Sequence, residues 1–454
     1  MASAPLTIVI GGGISGLTCA YTLKRSGQNV LLLEASARPG GMIQSVTENG
    51  YLFELGPQSF SGAEPLFKLC DELGISGELV EAPRGAPRYI LVDGKLVPVP
   101  FSPGAFLPSP LLSWRTKLSM LAEVLRTSKS PESDESVAAF VRARFTPELL
   151  DRVVGPLVSG IYAGDPEFLS LRAAFPQIYE ADRLSGSVVR GSLRLAKKKP
   201  KTQQSHRSGL YSFRKGNETL IRALAGSLGD ALRCKTSVVA EIERDSNGFC
   251  LQVTGSQGNE SLRAHKLVLA TPAFAHRELL AKVAPSAGSE LFGIEYAPVA
   301  VVSHGYRQDQ LGSKLQGFGF LIPRSAHVRT LGTVWNSSLF EGRAPQNYVL
   351  MTSFIGGAKD GNALALPPEE LSTVVHREVS MILGIKGEPA ASKVTPYWAA
   401  IPQYNLGHTK RLDAVRRDLS QIPGLWAIGN YWKGPAIGAC IEHSLAVAEE
   451  IRIG

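Results

Sequence analysis

Near the start of the chain, Gly11-Gly12-Gly13-Ile14-Ser15-Gly16 matches G-x-G-x-x-G, and Glu34 follows 18 residues after Gly16. The three glycines meet separate needs. Gly11 permits a tight turn, Gly13 lets the backbone approach a pyrophosphate, and Gly16 lets a helix press against a strand. The N–H groups that open such a helix lack internal partners and carry partial positive charge, which suits phosphate. A carboxylate closing the next strand can accept hydrogen bonds from a ribose diol. The chemistry on offer is recognition of a dinucleotide. The eight histidines are dispersed, and Cys19, Cys70, Cys234, Cys250 and Cys440 form no C-x-x-C pair. No Ser/His/Asp grouping presents itself, so neither a metal centre nor a disulfide framework is expected, and a reducing compartment is.

These residues need a strand, a loop, a helix and a second strand to position them. Thr7-Ile8-Val9-Ile10 is an apolar run, Leu17, Ala20, Tyr21 and Leu23 share a helical stripe ending at Gly27, and residues 30–33 form the next strand. Residues 51–60 read as a strand running into a turn, 71–74 close a helix, and 88–96 form a hairpin turning at Asp93-Gly94. From about 97 to 209 the character changes: a Pro-rich segment precedes helices at 117–126 and 136–145, and the segment ends near the basic run Lys197-Lys198-Lys199-Pro200-Lys201. Strands follow at 237–243, 249–254 and 266–270, the last closed by Thr271-Pro272, and 298–306 and 347–354 read as strands of another sheet. The last unit is a strand at 425–430 ending in Gly429-Asn430, then a helix from about Gly438 with Ile441, Leu445 and Ala448 inward.

The 454 residues are 44% hydrophobic and 19% charged, which excludes disorder, collagen and coiled coil and leaves room for two or three domains. The net charge of +8 is scattered. Without a zinc spacing or other nucleic-acid motif, no nucleic acid is expected as a partner, whereas an anionic small molecule or membrane surface accounts for the excess. Residues 96–114, the only long uncharged stretch, carry five prolines. They forbid the ladder of about 20 residues that a spanning helix needs. Residues 1–6 hold no basic side chain, so no leader is expected, and the chain is expected in the cytoplasm, at most peripheral on its membrane.

Glu34-Ala35-Ser36-Ala37-Arg38-Pro39-Gly40-Gly41 resembles the extended FAD motif of the amine-oxidase-like flavoproteins, although Met42 stands where many of them have a second Arg. Further stretches are Gly56-Pro57-Gln58-Ser59-Phe60, Ser159-Gly160-Ile161-Tyr162-Ala163-Gly164-Asp165-Pro166 and Gln316-Gly317-Phe318-Gly319-Phe320-Leu321-Ile322-Pro323. Phe354-Ile355-Gly356-Gly357, Ile401-Pro402-Gln403-Tyr404-Asn405-Leu406-Gly407-His408 and Gly438-Ala439-Cys440-Ile441 complete the set. Together they resemble the oxygen-dependent protoporphyrinogen oxidase family, within the monoamine-oxidase-like flavoproteins.

That resemblance implies FAD as cofactor and a porphyrinogen and oxygen as reactants. Protoporphyrinogen IX would lose six electrons and six hydrogens in three two-electron steps, hydride passing to flavin N5 and oxygen then regenerating the flavin with release of hydrogen peroxide. No side chain is implied as catalytic acid or base, which suits a cofactor that does the chemistry. The implied fold is α/β and α+β: a discontinuous Rossmann-like FAD-binding domain (residues 1–85, 210–272 and 410–454), a mixed-sheet substrate-binding domain (86–96 and 273–409) and a helical membrane-associating domain (97–209). Residues 96–114 would lie in a membrane interface without crossing it. A homodimer is left open.

Carried over position by position, Arg88 pairs a substrate propionate through its guanidinium fork, and Phe318, Gly319, Leu321, Val334 and Phe354 face the macrocycle. FAD is assigned to Gly11, Gly12, Gly13, Ile14, Ser15, Gly16, Glu34, Ala35, Arg38, Gly40, Gly41, Gly56, Pro57, Gln58 and Ser59. Val238 joins them at the adenine, Trp398 as the aromatic next to the flavin, and Thr271, Gly429, Ala436, Gly438, Ala439, Cys440 and Ile441 complete the set. The last of these aim a helix N-terminus at the flavin's pyrimidine edge. Two departures stand out. Gln58 occupies a position where relatives often have Asn, and Ala436-Ile437-Gly438-Ala439-Cys440 replaces a Val-Asn-Asp-Cys ending, leaving backbone but not side-chain donation. Other readings are coproporphyrinogen III as substrate, which would want extra basic groups at the pocket mouth, a flavin amine oxidase or desaturase, and a non-catalytic carrier of tetrapyrrole. The lysine run reads as a solvated loop or as a contact with anionic lipid.

Overall fold

A computed structural model describes residues 5–127, 132–198, 209–256 and 258–453. A fully parallel five-stranded sheet is assembled in the order Leu232–Arg233, Asn29–Leu33, Leu6–Ile10, Lys266–Leu269 and Leu425–Ala427. Its strands come from three separate stretches of chain. They are continuous apolar runs because both faces are covered. Val9, Leu32 and Val268 point into a core shared with the helices Ile14–Arg25, Glu218–Leu228 and Ile437–Ile453. Ile8, Ile10, Leu31, Leu33, Leu267 and Leu269 point the other way, alternating as strand geometry requires. There they meet Phe249, Leu251 and Val253 of the strand Gly248–Gly255 and the helices Pro285–Phe292 and His408–Ser420.

The second large sheet has seven strands of mixed direction, in the order Ala391–Pro402, Tyr296–Arg307, Tyr348–Gly356, Thr330–Val334, Gly319–Leu321, Arg88–Val92 and Lys95–Pro98. The last two form the expected hairpin. Asp93 (φ 49°) and Gly94 (φ 77°) make the left-handed pair that a two-residue turn demands. One face is closed by the helix Pro368–Leu383, whose Leu371, Val375 and Val379 pack on Ala300, Val302, Phe320 and Ile355. The other face carries Phe354 and Leu321, which pack with Met42 and Ala163 and with the helical residues of 137–175, respectively. Between Tyr296–Arg307 and Ala391–Pro402 the register jumps: Ala297 opposes Ile401 but Val299 opposes Tyr397, so residues 398–400 bulge. Bulges of this kind re-aim side chains beside functional sites.

Residues 103–198 are helical wherever they are described as regular, and Val137, Phe140, Val141, Leu149, Val158 and Tyr162 pack onto the outer hairpin through Ile90, Val92 and Val97. Arg144 and Asp182 form a buried ion pair at 3.0 Å inside this layer. Ser113 and Ser136 cap the helices Trp114–Glu123 and Val137–Arg144, whose N–H groups at Thr116 and Ala139 they satisfy. Among the described residues no helix is long and apolar enough to cross a membrane.

Three differences from the sequence reading have physical causes. Residues 273–294, placed there with the mixed sheet, bury Ala273, Leu280, Ala287 and Leu291 against the parallel sheet's side with Leu412 and Val415. The strand expected at 237–243 is broken into Ser237–Val238 and Glu243–Asp245, because Ile242 turns into the core and its N–H bonds Leu279 instead of a strand partner. The helix expected at 117–126 starts at Trp114, one turn early, where Ser113 caps it. Lys199, Pro200 and Lys201 lie outside the described residues.

Candidate active site

The glycine loop is built as its spacing requires. Gly11 turns with φ 106°, and a Cβ there would sit 2.9 Å from the Ala270 carbonyl. A Cβ on Gly16 would overlap the Gly11 oxygen, whereas one on Gly13 would meet nothing within 4 Å. The loop is therefore closed against the protein at Gly11 and Gly16 and open at Gly13. The helix beginning at Ile14 has no side-chain cap and no acidic residue in its first turn, so its leading N–H groups are available. Glu34 closes the second strand; one carboxylate oxygen accepts from Gly12 N (2.7 Å) and the other from Ser36 N (2.7 Å). Lone pairs remain for a diol. Ala35 follows Glu34, and the backbone contacts Lys235 N to Ser36 O and Thr236 N to Glu34 O bring the segment leading to Val238 alongside. Arg38 points inward, where it donates to the Pro39, Gly41 and Ile43 carbonyls, and Gly40 N donates to Gly12 O. It shapes the Gly40-Gly41 loop instead of reaching out of it. Beside Gly11, the buried Thr271 hydroxyl has no partner.

A second helix end meets the first. The helix Ile437–Ile453 also starts without an acidic residue, after the Gly429-to-Ala436 turn; its Cys440 thiol faces Gly434 O at 3.8 Å, and the helix packs along Ile14–Arg25 with Cys440 near Ser15. Gly438 and Ala439 thus open one helix beside the N-terminus of another, and two partially positive ends share one place. Burial pushes the Cys440 thiol up to about 11, which leaves it unreactive. Ile441 is wholly buried and packs in the core behind. Nearby, the Gly56-Pro57-Gln58-Ser59 loop follows its strand, and Gln58 folds back to donate to Glu54 O (3.0 Å) and Gly56 O (2.7 Å).

The apolar candidates come from three different strands and share a face by register. Gly319 opposes Val334, Leu321 opposes Gly332, and Gly332 opposes Phe354, so Leu321, Val334 and Phe354 point the same way from a platform lowered by two glycines. All three side chains and Phe318 are half-buried. A Cβ on Gly319 (φ 132°) would collide with the Thr333 carbonyl. Arg88, at the start of the neighbouring parallel strand, is exposed and lies over Phe318 at 5.2 Å. No carboxylate pairs with it among the described residues. Phe354 joins Met42, Ala163, Tyr397 and Ile401 in one cluster, where the segment after Gly40-Gly41, the helical layer and the mixed sheet converge. Trp398 sits in the bulge and is 63% exposed.

Comparison with known proteins agrees with this geometry. The family described as flavin containing amine oxidoreductase matches residues 14–452. The chain belongs to this family. Its cofactor is FAD, and the glycine loop, the available helix ends and the orphaned Thr271 hydroxyl fit that group. Among individual relatives, a chloroplastic protoporphyrinogen oxidase of Nicotiana tabacum is 33% identical over 98% of this chain and 85% of its own length. A coproporphyrinogen III oxidase of Bacillus subtilis (strain 168) is 27% identical over 98% and 97%. A crystal structure from Exiguobacterium sp. 255-15, provisionally described as a protoporphyrinogen oxidase, superposes with a TM-score of 0.83 at 27% identity, covering 100% of this chain and 99% of that one.

In this flavin-containing amine oxidoreductase, two of the sequence stretches prove to be joined. Gln403 donates to Tyr162 O (2.8 Å), Tyr404 packs on Tyr162, and the Tyr404 hydroxyl donates to Asn430 O (2.6 Å). His408 stacks on Tyr404 at 4.2 Å and contacts Tyr431 O, and burial lowers its pKa to about 4. It is a neutral prop for the Gly429–Ala436 turn. Sequence reading missed Asn336, Ala163, Gly332 and Tyr397. Gly332, inside a β pattern, carried a signal of close backbone approach; the others carried none without the register.

Proposed function

We propose that this flavoenzyme oxidises protoporphyrinogen IX to protoporphyrin IX, passing six electrons to three molecules of oxygen and releasing three of hydrogen peroxide. The observation that carries the reading is the junction, in one cluster with Phe354 and Met42, of an apolar, glycine-lowered sheet face with the Gly40-Gly41 loop that is bonded to Gly12. Such a floor suits a broad, flat ring. Bound FAD supplies the acceptor for two electrons and a proton at a time. The chain's residues bind and orient. Phe318, Leu321, Val334 and Phe354 seat the macrocycle, Gly319 keeps the floor level, and Arg88 offers an unpaired guanidinium to a propionate. Gly11 to Gly16, Glu34, Ala35, Gly40, Gly41, Gly56 to Ser59, Val238 and Thr271 hold the dinucleotide, with Arg38 bracing the Gly40-Gly41 loop from behind and Trp398 at the ring. The helix ends at Ser15 and Gly438 to Cys440 favour negative charge on the cofactor. Relatives that oxidise either porphyrinogen make substrate choice the test. With oxygen present, fluorescence of the porphyrin product should rise faster with protoporphyrinogen IX than with coproporphyrinogen III, with three peroxides formed per porphyrin. A preference for coproporphyrinogen, or no product from either, would overturn it.

The reading includes a peripheral contact with the cytoplasmic membrane face. Trp114, Leu118, Leu121 and Leu125 are 56–81% exposed and recur at helical spacing along Trp114–Glu123 and just beyond it. Sedimentation with anionic vesicles should fall on Leu118→Glu plus Leu121→Glu; unchanged sedimentation would remove this part.

A further inference from the structure

A buried polar chain runs from the mixed sheet to the Gly56–Ser59 loop, and its atoms can be oriented without ambiguity. Gln58 Nε2 faces two backbone carbonyls, Glu54 O and Gly56 O, which can only accept, so its Oε1 must be the atom facing Asn336. Asn336 therefore donates from Nδ2 at 2.7 Å, and its own Oδ1 is left buried without a donor. Seven residues on, Arg343 is 1% exposed; Nη2 donates to Ser212 Oγ (2.6 Å) and Phe213 O (3.1 Å), while Nη1 is buried without a partner. Ser212 Oγ in turn donates to Asn217 Oδ1 (2.9 Å), and Asn217 donates from Nδ2 to Pro57 O (2.8 Å) and from its backbone to Glu54 (2.8 Å). Two routes from residues 336–343 thus end on one loop, at Gln58 and at Pro57.

A network serving stability alone would satisfy its atoms or be replaced by apolar side chains, since half-satisfied buried groups cost more than they return. This one keeps two orphans. We propose that Asn336 and Arg343 are positioning residues that fix the Gly56–Ser59 loop against the flavin, tying cofactor geometry to the sheet that carries the substrate. The inference rests on the placement of FAD proposed above.

The test uses the flavin itself. In the purified holoenzyme, Asn336→Leu should weaken FAD binding about tenfold, the scale of one lost buried hydrogen bond. At saturating FAD it should also move the visible flavin bands and the midpoint potential. Gln58→Leu and Asn336→Leu combined should cost less than the sum of the two single changes, because both sever the same contact, although Gln58→Leu also frees the Glu54 and Gly56 carbonyls. Arg343→Met should act likewise, with Arg343→Lys restoring part of the effect. If the apolar variants fail to fold, Asn336→Ser and Arg343→Lys read the same quantities. Lower melting temperatures with unchanged bands, potential and FAD binding would overturn the inference. A wild-type chain that takes up no FAD would overturn the placement beneath it.

Discussion

The glycine-loop end and the apolar sheet face are built on opposite principles. The glycine loop, its helix and Glu34 lie within one short stretch of chain, and the bond from Gly12 N to Glu34 closes a single βαβ step, while Thr236 and Ala270 press in from farther along the chain. The apolar face draws Arg88, Leu321, Val334 and Phe354 from four strands, and only register brings them together. The first is specified by backbone conformation, where a single Cβ is fatal. The second is specified by packing, where one side chain can be lost and the face persists. The lesson is that the two ends should fail differently.

Acid is the largest perturbation expected. His276, His408 and His443 prop the cofactor end and His304 the mixed sheet; burial lowers the pKa to about 4 in the first three and about 3 in His304. Each takes up a proton on unfolding, so the stability it contributes is full above about pH 6.5 and is lost as pH falls toward the folded value. That amounts to roughly 2 kcal/mol per histidine at pH 5. Glu54, raised to about 7 by burial, works in the opposite direction over the same range, one group against four. Flavin release followed by fluorescence should therefore begin between pH 6.5 and 5, with three of the four props at that end. Release only below pH 4 would break the distinction.

Next in size is Gly16→Val. Its side chain would overlap the Gly11 carbonyl, and FAD affinity should fall at least about 100-fold, two steps of about 1.4 kcal/mol. Equilibrium dialysis checks it. On the other side, Phe354→Ala should raise KM for porphyrinogen about tenfold, the scale of one lost half-buried ring, and leave FAD content intact. Steady-state kinetics with a flavin count per chain separates the two ends. Smallest is Arg88→Ala, a loss of severalfold in kcat/KM that shrinks at high salt because the site is exposed. Arg88→Lys should recover part of it, since the charge returns without the fork.

The same contrast explains what was legible in the sequence. Gly11, Gly13, Gly16 and Glu34 announce their roles because tight turns and helix ends impose residue types at fixed spacing. The hairpin at Asp93-Gly94 was readable for the same reason. Four of the five strands of the parallel sheet were legible as apolar runs, at 7–10, 30–33, 266–270 and 425–430; the two-residue edge strand Leu232–Arg233 was not. Asn336 was not: nothing around it distinguishes a buried amide from a helix cap until Gln58, 278 residues away, is seen opposite. Met42 read only as a missing arginine, and its place against Phe354 depends on three segments converging. Trp398 was assigned by resemblance alone, and the bulge at residues 398–400 that exposes it has no pattern in the sequence. Residues 273–294 were assigned to the wrong layer because Thr271-Pro272 looks like a boundary when it is only the end of a strand.

The central claim is that electrons leave a tetrapyrrole lying on the Phe354 face and enter the flavin held by the glycine loop. Mixing the purified yellow enzyme anaerobically with protoporphyrinogen IX tests it in one spectrum. The flavin bands should bleach as porphyrin bands grow, and admitting oxygen should restore the yellow colour. Bound porphyrinogen with the flavin still oxidised would contradict it.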